Sequence, residues 1–311
     1  MYTGLLLLLL AAAAGQEKSA APPPSICATC IRDNLDYLAG RELRGRGSGT
    51  EDEHHAAEYI AGKLREYGLK PAAPADAYIQ TATIKGRNGE ISHSWNVLAK
   101  IDGRGEPGEI ILLSAHLDHL GVKKGKVYPG ADDDASGTVA VMELARALAS
   151  GPPPQRTIVF ALWGSEEAGL VGARYFLKHP TFDLHRIVAN VEFEMIGRRD
   201  PEVAYDQLWL TGWERSNLGP ELAKHGAHLV GDPHPRQNFF TRSDNYALAR
   251  QGIVAQTISS YGLHSDYHRP TDTADRIDWQ HLDSAIGSMV APVRWLADSS
   301  FRPEWRKGQR P

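Results

Sequence analysis

The sequence predicts an α/β fold with a mostly parallel central sheet and helices on both of its faces. Apolar runs of strand length alternate along the chain with segments of helical periodicity, and acidic side chains or a histidine follow several of the strand runs. The chain has 311 residues, of which 42% are hydrophobic. This is enough for a sizeable core, and length alone allows one large domain or two small ones.

The N-terminus predicts an export signal. Residues 4–14 form an uncharged run of mainly Leu and Ala that is too short to span a bilayer and ends in small residues. We expect a signal peptide over residues 1–15 and a Pro- and Ala-rich leader over residues 16–25, with export to the periplasm or the medium. No later apolar run reaches transmembrane length, which argues against stable membrane insertion.

The charge balance excludes one class of partner. The 34 basic and 38 acidic residues give a formal net charge of −4. Such a chain lacks the strong basic field that nucleic acids or anionic membranes require. The sequence does not indicate an oligomeric state.

The two cysteines, Cys27 and Cys30, have the spacing C-x-x-C. In an exported chain this spacing is typical of a small disulfide, here near the start of the first helix. A thioredoxin-like redox site would need a strand before the motif, where this chain has its Pro-rich leader, and a zinc site would need two further ligands. The disulfide is therefore the favoured interpretation.

The predicted elements follow one another in chain order. Ala56, Ile60 and Leu64 recur at helical spacing, and Gly68 is a C-terminal stop. Further helices are predicted around 141–148, 170–178, 218–225 and 286–293. Strands are predicted at 78–84, 95–101, 110–114, 157–163, 187–193, 208–211 and 254–258.

The candidate chemistry follows the strand runs. His116 and Asp118 come after the strand at 110–114, Glu166 and Glu167 after 157–163, and Glu194 after 187–193. Ligands of open α/β sheets bind outside the carboxyl ends of the strands, so these side chains should meet at one edge. Two loops add candidates, namely residues 130–137, with three consecutive aspartates, and residues 267–273.

Each fragment alone has a simpler interpretation. H-x-D could be a surface pair, the three aspartates could cap the next helix, and Glu166 and Glu167 could be first-turn acids. Together, however, buried carboxylates at one edge of the sheet repel one another, and a bound divalent metal usually compensates their charge. Histidines with carboxylates and no thiolate favour zinc over manganese or cobalt.

Four motifs carry a family resemblance. H-x-D at 116–118, G-A-D-D-D-A-S-G at 130–137, W-G-S-E-E-A-G-L-V-G at 163–172 and Y-H-x-P-x-D-T at 267–273 resemble the two-zinc aminopeptidases. This family includes secreted bacterial leucyl aminopeptidases, glutamate carboxypeptidases and glutaminyl cyclases. The resemblance covers roughly residues 26–297 and implies the zinc exopeptidase fold, with a peptidase domain over residues 26–300. Only residues 102–109 separate the strands at 95–101 and 110–114, so we expect no inserted protease-associated domain, and we expect a solvated basic extension over residues 301–311.

The resemblance also implies roles for individual residues. His116 and Glu194 would hold one zinc ion, and Glu167 and His268 the other. Asp133 would bridge the two ions. The remaining roles concern catalysis: Glu166 as general base, Asp118 as the group that orients His116, and Tyr267 as a donor to the developing oxyanion.

Glu194 departs from the commonest pattern, since the family usually has Asp in F-D-M-I-G. Glu192, two residues upstream, is an alternative ligand, although the Met-Ile-Gly register favours Glu194. The resemblance implies hydrolysis of N-terminal residues from peptide substrates by a water that two zinc ions activate. Alternatives are a glutaminyl cyclase with one zinc ion, a carboxypeptidase with a cationic pocket, and an inactive scaffold or receptor.

Overall fold

The computed structural model describes residues 25–85, 91–105 and 108–311. The expected signal peptide and all of the leader except Ser25 lie outside these residues. The helices are α1 (Ala28–Leu38), α2 (Glu51–Glu66), α3 (Gly137–Ala149), α4 (Val171–Lys178), α5 (Leu218–Lys224), α6 (Asn245–Ala249) and α7 (Trp279–Asp298). The strands are β1 (Lys70–Pro71), β2 (Ile79–Lys85), β3 (Ile91–Ile101), β4 (Ile110–His116), β5 (Gly121–Lys123), β6 (Lys126–Tyr128), β7 (Thr157–Trp163), β8 (Ile187–Phe193), β9 (Leu208–Leu210), β10 (Leu229–Gly231) and β11 (Ala255–Ser259).

The central sheet is mixed: its four middle strands are parallel, antiparallel pairs join the outer strands to them, and β10 is parallel to β9 at one edge. Its order is β1-β3-β7-β4-β8-β11-β9-β10, with β2 also paired to β3. The strands β7, β4, β8 and β11 pair in parallel, whereas β3 and β9 run antiparallel to the strands beside them in this central group. All seven residues of β4 are buried, as expected for a strand covered on both faces. The predicted α/β class is confirmed, and the parallel pairing applies to the central strands.

Helices cover both faces of this sheet. The helices α1, α3 and α7 contact one another on one face, where they form the larger apolar core. The helices α4 and α6 contact each other on the opposite face, over a second core that includes Trp163 and Phe176. The nine-stranded sheet therefore has an apolar core on each face, and β5 and β6 form a separate two-stranded sheet.

Local sequence signals set several boundaries as predicted. The strands β7 and β8 have the predicted limits, and α2 ends just before Gly68, whose φ of +81° suits a residue without a Cβ. At its other end, the Thr50 side chain accepts a hydrogen bond from the Glu53 amide, which fixes the first turn. Only residues 102–109 lie between the end of β3 and the start of β4.

The N-terminal cysteines form a disulfide between Cys27 and Cys30, at the start of α1. This is the predicted pairing. The helix that follows is integral to the core, because Ile31, Leu35 and Leu38 are fully buried.

The expectation of a solvated C-terminal extension is wrong for part of residues 301–311. Pro303 is buried, and the indole Nε1 of Trp305 donates to the Gly252 carbonyl at 3.1 Å. Trp305 also packs edge-on against Phe240. The prediction followed the basic residues of the segment and missed that Trp305 anchors it to the rest of the protein. In the described part of the chain, no helix has both the length and the apolar character needed to cross a membrane.

Candidate metal centre and catalytic site

The candidate site lies at the carboxyl ends of the central parallel strands. His116 is the last residue of β4 and pairs with Trp163, the last residue of β7. Glu194 directly follows β8, whose Glu192 is in register with Ser114 of β4. The pairing of these strands therefore brings the predicted residues to one edge of the sheet.

The first group of possible metal ligands comprises His116, Asp133 and Glu194. One nitrogen or oxygen atom from each lies within 4.8 Å of the others, and His116 Nε2 is 3.3 Å from Asp133 Oδ1. His116 Nδ1 lies 3.1 Å from the backbone carbonyl of Asp118. Because a carbonyl can only accept, Nδ1 carries the proton in this contact and Nε2 keeps a free lone pair.

The second group uses the other oxygen of Asp133. His268 Nε2 lies 3.1 Å from Asp133 Oδ2 and 3.1 Å from Glu167 Oε1. His119 Nδ1 lies 3.0 Å from the same Glu167 oxygen, and His119 forms a possible metal-binding group with Asp133 and Glu167. Sequence reasoning missed His119. The available signal was its place three residues after the end of β4, directly beside the H-x-D motif.

These donor atoms fit a divalent cation. His116 Nε2, His119 Nδ1, Asp133 Oδ2 and Glu167 Oε1 are buried and have no hydrogen-bond partner. Buried polar atoms without partners are costly, and four of them converging from imidazoles and carboxylates form a suitable donor set for a metal. The absence of cysteine from the set is compatible with zinc.

The aspartate loop is fixed by its neighbours. Asp272 accepts the backbone amides of both Asp132 and Asp133, at 3.0–3.2 Å. Asp134 accepts the amide of Gly137, the first residue of α3, and that of Met195. Asp134 therefore supports the helix start, while the Asp133 carboxylate remains free to face both groups.

Asp118 holds a different partner from the expected one. Its carboxylate accepts the Glu166 amide at 2.8 Å and the Ser48 hydroxyl at 2.6 Å. The distance from Asp118 Oδ1 to His116 Nδ1 is 3.7 Å, too long for a hydrogen bond. The backbone of Asp118 contacts the imidazole, and its side chain supports the loop that carries Glu166.

The loop that carries Glu166 is also held by a contact between Ser165 and Glu53. Ser165, immediately before Glu166, has a φ of +52°, a conformation that costs a non-glycine residue free energy. Its hydroxyl donates to the buried Glu53 carboxylate, which also accepts from the Ser94 hydroxyl at 2.9 Å. Burial and the nearby Asp118 carboxylate raise the pKa of Glu53 to about 8.

Glu192, the alternative ligand, faces two serine hydroxyls. It accepts from Ser243 at 2.5 Å and from Ser114 at 3.3 Å. Burial raises the pKa of Glu192 to about 7. Its contacts are those of an internal hydrogen-bonded carboxyl, and Glu194 is the acid that lies with His116 and Asp133.

The pKa values of the two adjacent glutamates, Glu166 and Glu167, are shifted in opposite directions. Burial, with the charges of Asp244, Glu194 and Asp118, raises the pKa of Glu166 well above its ordinary value, against the effect of His116. Burial and Asp133 also act to raise the pKa of Glu167, but the His119 and His268 rings outweigh them and lower it to about 2. Neighbouring carboxyls that differ in this way suit different tasks, one as a proton acceptor and one as a permanently charged ligand.

A cavity opens beside the two groups and is lined by residues of both, among them Asp133, Glu167 and Glu194. Met195, Trp209, Phe239 and Tyr261 supply an apolar wall, and Arg242 and Tyr267 also line the cavity. The buried Asp200 carboxylate accepts from the Trp209 indole at 2.9 Å, which fixes the position of this ring. An apolar wall combined with a few converging polar groups is the usual lining of a small-ligand site.

Tyr267 lies beside the second group, with its ring stacked on His268. Its hydroxyl accepts from Arg242 at 3.3 Å, which leaves the phenolic proton for another acceptor. Burial and the charges of Asp133 and Glu194 raise the pKa of Tyr267, so the hydroxyl stays protonated at neutral pH. Tyr267 can therefore donate a hydrogen bond into the cavity.

Comparisons with known proteins identify a peptidase family. The model of peptidase family M28 matches residues 96–293. Leupeptin-inactivating enzyme 1 of Streptomyces exfoliatus is 32% identical over 264 residues, covering 80% of this chain and 56% of that protein. Leucine aminopeptidase 2 of Trichophyton rubrum is 30% identical over 212 residues, covering 60% of this chain and 41% of that protein. The chain thus spans about half the length of these curated relatives.

Solved structures share the fold at lower identity. BSAP, a zinc aminopeptidase from Bacillus subtilis, has a TM-score of 0.68 and 17% identity, over 90% of this chain and 96% of that chain. The glutaminyl cyclase of Porphyromonas gingivalis has a TM-score of 0.65 and 18% identity, over 86% of this chain and 98% of that chain. The fold is therefore common to two different activities, whereas the sequence match is with peptidases. On the extent of that match, the chain belongs to peptidase family M28.

Proposed function

We propose that the chain is a zinc-dependent aminopeptidase that removes N-terminal residues from peptides. One observation carries this proposal: the two oxygens of Asp133 face two groups of buried donor atoms, beside a small apolar cavity. His116 and Glu194 would hold one zinc ion, Glu167 with His268 the other, and Asp133 both. Zinc at these positions would supply Lewis-acid chemistry, lowering the pKa of water and polarising the scissile carbonyl.

Glu166 is the proposed general base. It lines the cavity, is adjacent to the proposed ligand Glu167, and lies outside both groups of donor atoms, so its carboxylate is free to accept a proton. It would accept a proton from the attacking water and deliver it to the leaving amine. Tyr267 would donate a hydrogen bond to the oxygen on which negative charge develops.

The cavity supports cleavage at a chain end. Its aromatic wall would suit a large apolar side chain next to the bond that is cleaved. The acidic groups at its inner side, including Glu194, would attract a free α-amino group. We therefore expect aminoacyl substrates such as leucyl derivatives to be preferred.

The test is a panel of aminoacyl chromogenic substrates, assayed with free and acetylated amino groups. We expect activity on free leucyl substrates, loss of that activity with a chelator, and recovery with zinc. Equal cleavage of the acetylated substrates would refute an aminopeptidase, and activity that a chelator leaves unchanged would refute the metal requirement. Ammonia release from Gln-peptides with one bound zinc ion would indicate a glutaminyl cyclase instead.

Arg242 favours a second candidate, a carboxypeptidase or dipeptidase of the same family. Its guanidinium is a cationic group lining the cavity and could bind a substrate carboxylate. Dipeptides with free and amidated C-termini separate the two functions. A strong preference for the free carboxylate that Arg242→Gln abolishes would support the second candidate.

We further propose that the protein acts after export. Two observations support this, namely the apolar segment at residues 4–14 and the Cys27–Cys30 disulfide, since disulfides persist mainly in oxidising compartments. Fractionation of cells that express the full chain tests this proposal, and accumulation of the uncleaved protein in the cytoplasm would contradict it.

A further inference from the structure

The second group contains one more imidazole than the three-residue set of Asp133, Glu167 and His268. His119 and His268 both lie against the same pair of carboxylate oxygens, yet their surroundings differ. The His119 side chain is fully buried, whereas that of His268 is 35% exposed. His119 is therefore held within the protein beside the donor atoms.

The distances around His119 suit metal coordination. Its Nδ1 lies 3.0 Å from Glu167 Oε1 and 3.7 Å from Asp133 Oδ2. Bonds of about 2.0–2.1 Å to a tetrahedral zinc ion would place neighbouring ligand atoms about 3.3 Å apart. The observed distances lie on either side of this value.

The polar atoms of His119 are also unsatisfied. Neither ring nitrogen has a hydrogen-bond partner, although both are buried. A buried imidazole without partners is costly unless a ligand compensates. Its Nδ1 lies near two oxygens, Asp133 Oδ2 and Glu167 Oε1, which themselves lack hydrogen bonds.

The chain is shaped to let this ring approach. Gly130, at the start of the aspartate loop, has a φ of +62°, and a Cβ at this position would lie only 2.5 Å from His119 Cγ. Any side chain at residue 130 would therefore displace the His119 ring or the loop that carries Asp133. The glycine allows the imidazole and the loop to pack at their present distance.

We propose that His119 is a metal ligand, so that the second group has four protein ligands and the first has three. This inference rests on the metal-binding part of the proposed function. It makes the two sites unequal: the second group should bind zinc more tightly, and the ion there should have less room for substrate. The first site, with His116, Asp133 and Glu194, would be the one more easily emptied.

The test measures zinc itself, by titration of the dialysed protein against a chromophoric chelator. Two variants separate coordination from positioning. His119→Ala removes the whole imidazole, whereas His119→Asn retains an amide near the place of Nδ1 that can still donate to Glu167. His281→Asn is the matched control, because His281 is also fully buried but contacts Tyr205 and Ser260.

We expect the wild-type protein to bind two zinc ions, one more tightly than the other. Both His119 variants should weaken the tighter site by more than the roughly 10- to 100-fold that loss of an outer-shell partner costs, and the control should not. The ligand role would be overturned if both variants bound zinc with wild-type affinity. It would also be overturned if His119→Asn bound zinc like the wild type while His119→Ala did not. Neither result would affect the proposed function. Failure of the wild-type protein to bind zinc would instead refute the proposed function and this inference together.

Discussion

The two donor groups share one carboxylate but differ in how the fold supports them. His116 and Glu194 of the first group stand at or next to the ends of central strands and are held by the sheet. In the second group, Glu167, His119 and His268 all come from loops, and His268 has a φ of +54°. The comparison indicates that the first group is positioned by regular structure, and the second by contacts between side chains and loops.

The largest effect is expected from replacing Asp133, the residue common to both groups. Asp133→Asn keeps the size of the side chain but loses its charge, so both groups should lose zinc. We expect activity to fall by more than the roughly 10²- to 10⁴-fold cost of losing a general base alone. Metal analysis of the purified variant checks this. Asp232→Asn, on a loop outside both groups, is the control, and retention of two ions by Asp133→Asn would show that the groups are independent.

A smaller effect is expected from replacing Glu166, which is adjacent to Glu167 but belongs to neither group. Glu166→Gln removes a proton acceptor and leaves the donor atoms of both groups in place. We expect kcat to fall by roughly 10²- to 10⁴-fold while two zinc ions remain bound. Steady-state kinetics with metal analysis measures both quantities. Near wild-type kcat would contradict the assignment of Glu166 as the base, and loss of metal would assign it to one of the groups.

The smallest effect concerns the support of the loop at 164–167. The pKa of Glu53 is raised from 4.5 to about 8, so between these values the folded protein binds the proton more strongly than the unfolded chain. The stabilisation from protonated Glu53 is complete below about pH 4.5 and is lost as the pH rises through about 8. Glu53→Gln should remove this dependence.

Thermal unfolding between pH 5 and 9 tests the Glu53 prediction. The wild-type protein should lose more stability than the variant as the pH rises, by an amount of the order of a few kcal/mol. Glu58→Gln, at an exposed position on the same helix, should behave like the wild type. Parallel pH profiles for wild type and Glu53→Gln would show that Glu53 does not titrate in this range.

Much of the first group followed from the sequence, for a physical reason. The apolar runs that form β4 and β8 are continuous and sharply bounded, so their carboxyl ends, and with them His116 and Glu194, could be placed together at one edge. The four motifs and the family resemblance then supplied the remaining expected roles.

The features that sequence reasoning missed depend on distant contacts. His119 reaches the site because a glycine eleven residues later lets the aspartate loop pack against its ring, and local periodicity does not report this approach. The side chain of Asp118 faces the Glu166 amide, which lies 48 residues away. Trp305 anchors a segment whose composition is mainly polar and basic, so its docking depends on the surface of Phe240 and Gly252.

The position of Asp133 gives the two sites a thermodynamic link. In the proposed two-zinc site one carboxylate would serve both ions, so an ion at either site would change the charge and the orientation that the other ion meets. Such linkage is reciprocal: the factor by which the first ion alters the affinity for the second equals the factor in the opposite direction. Zinc uptake by this protein should therefore be cooperative, positively or negatively, and its two binding constants describe the pair of sites as a unit.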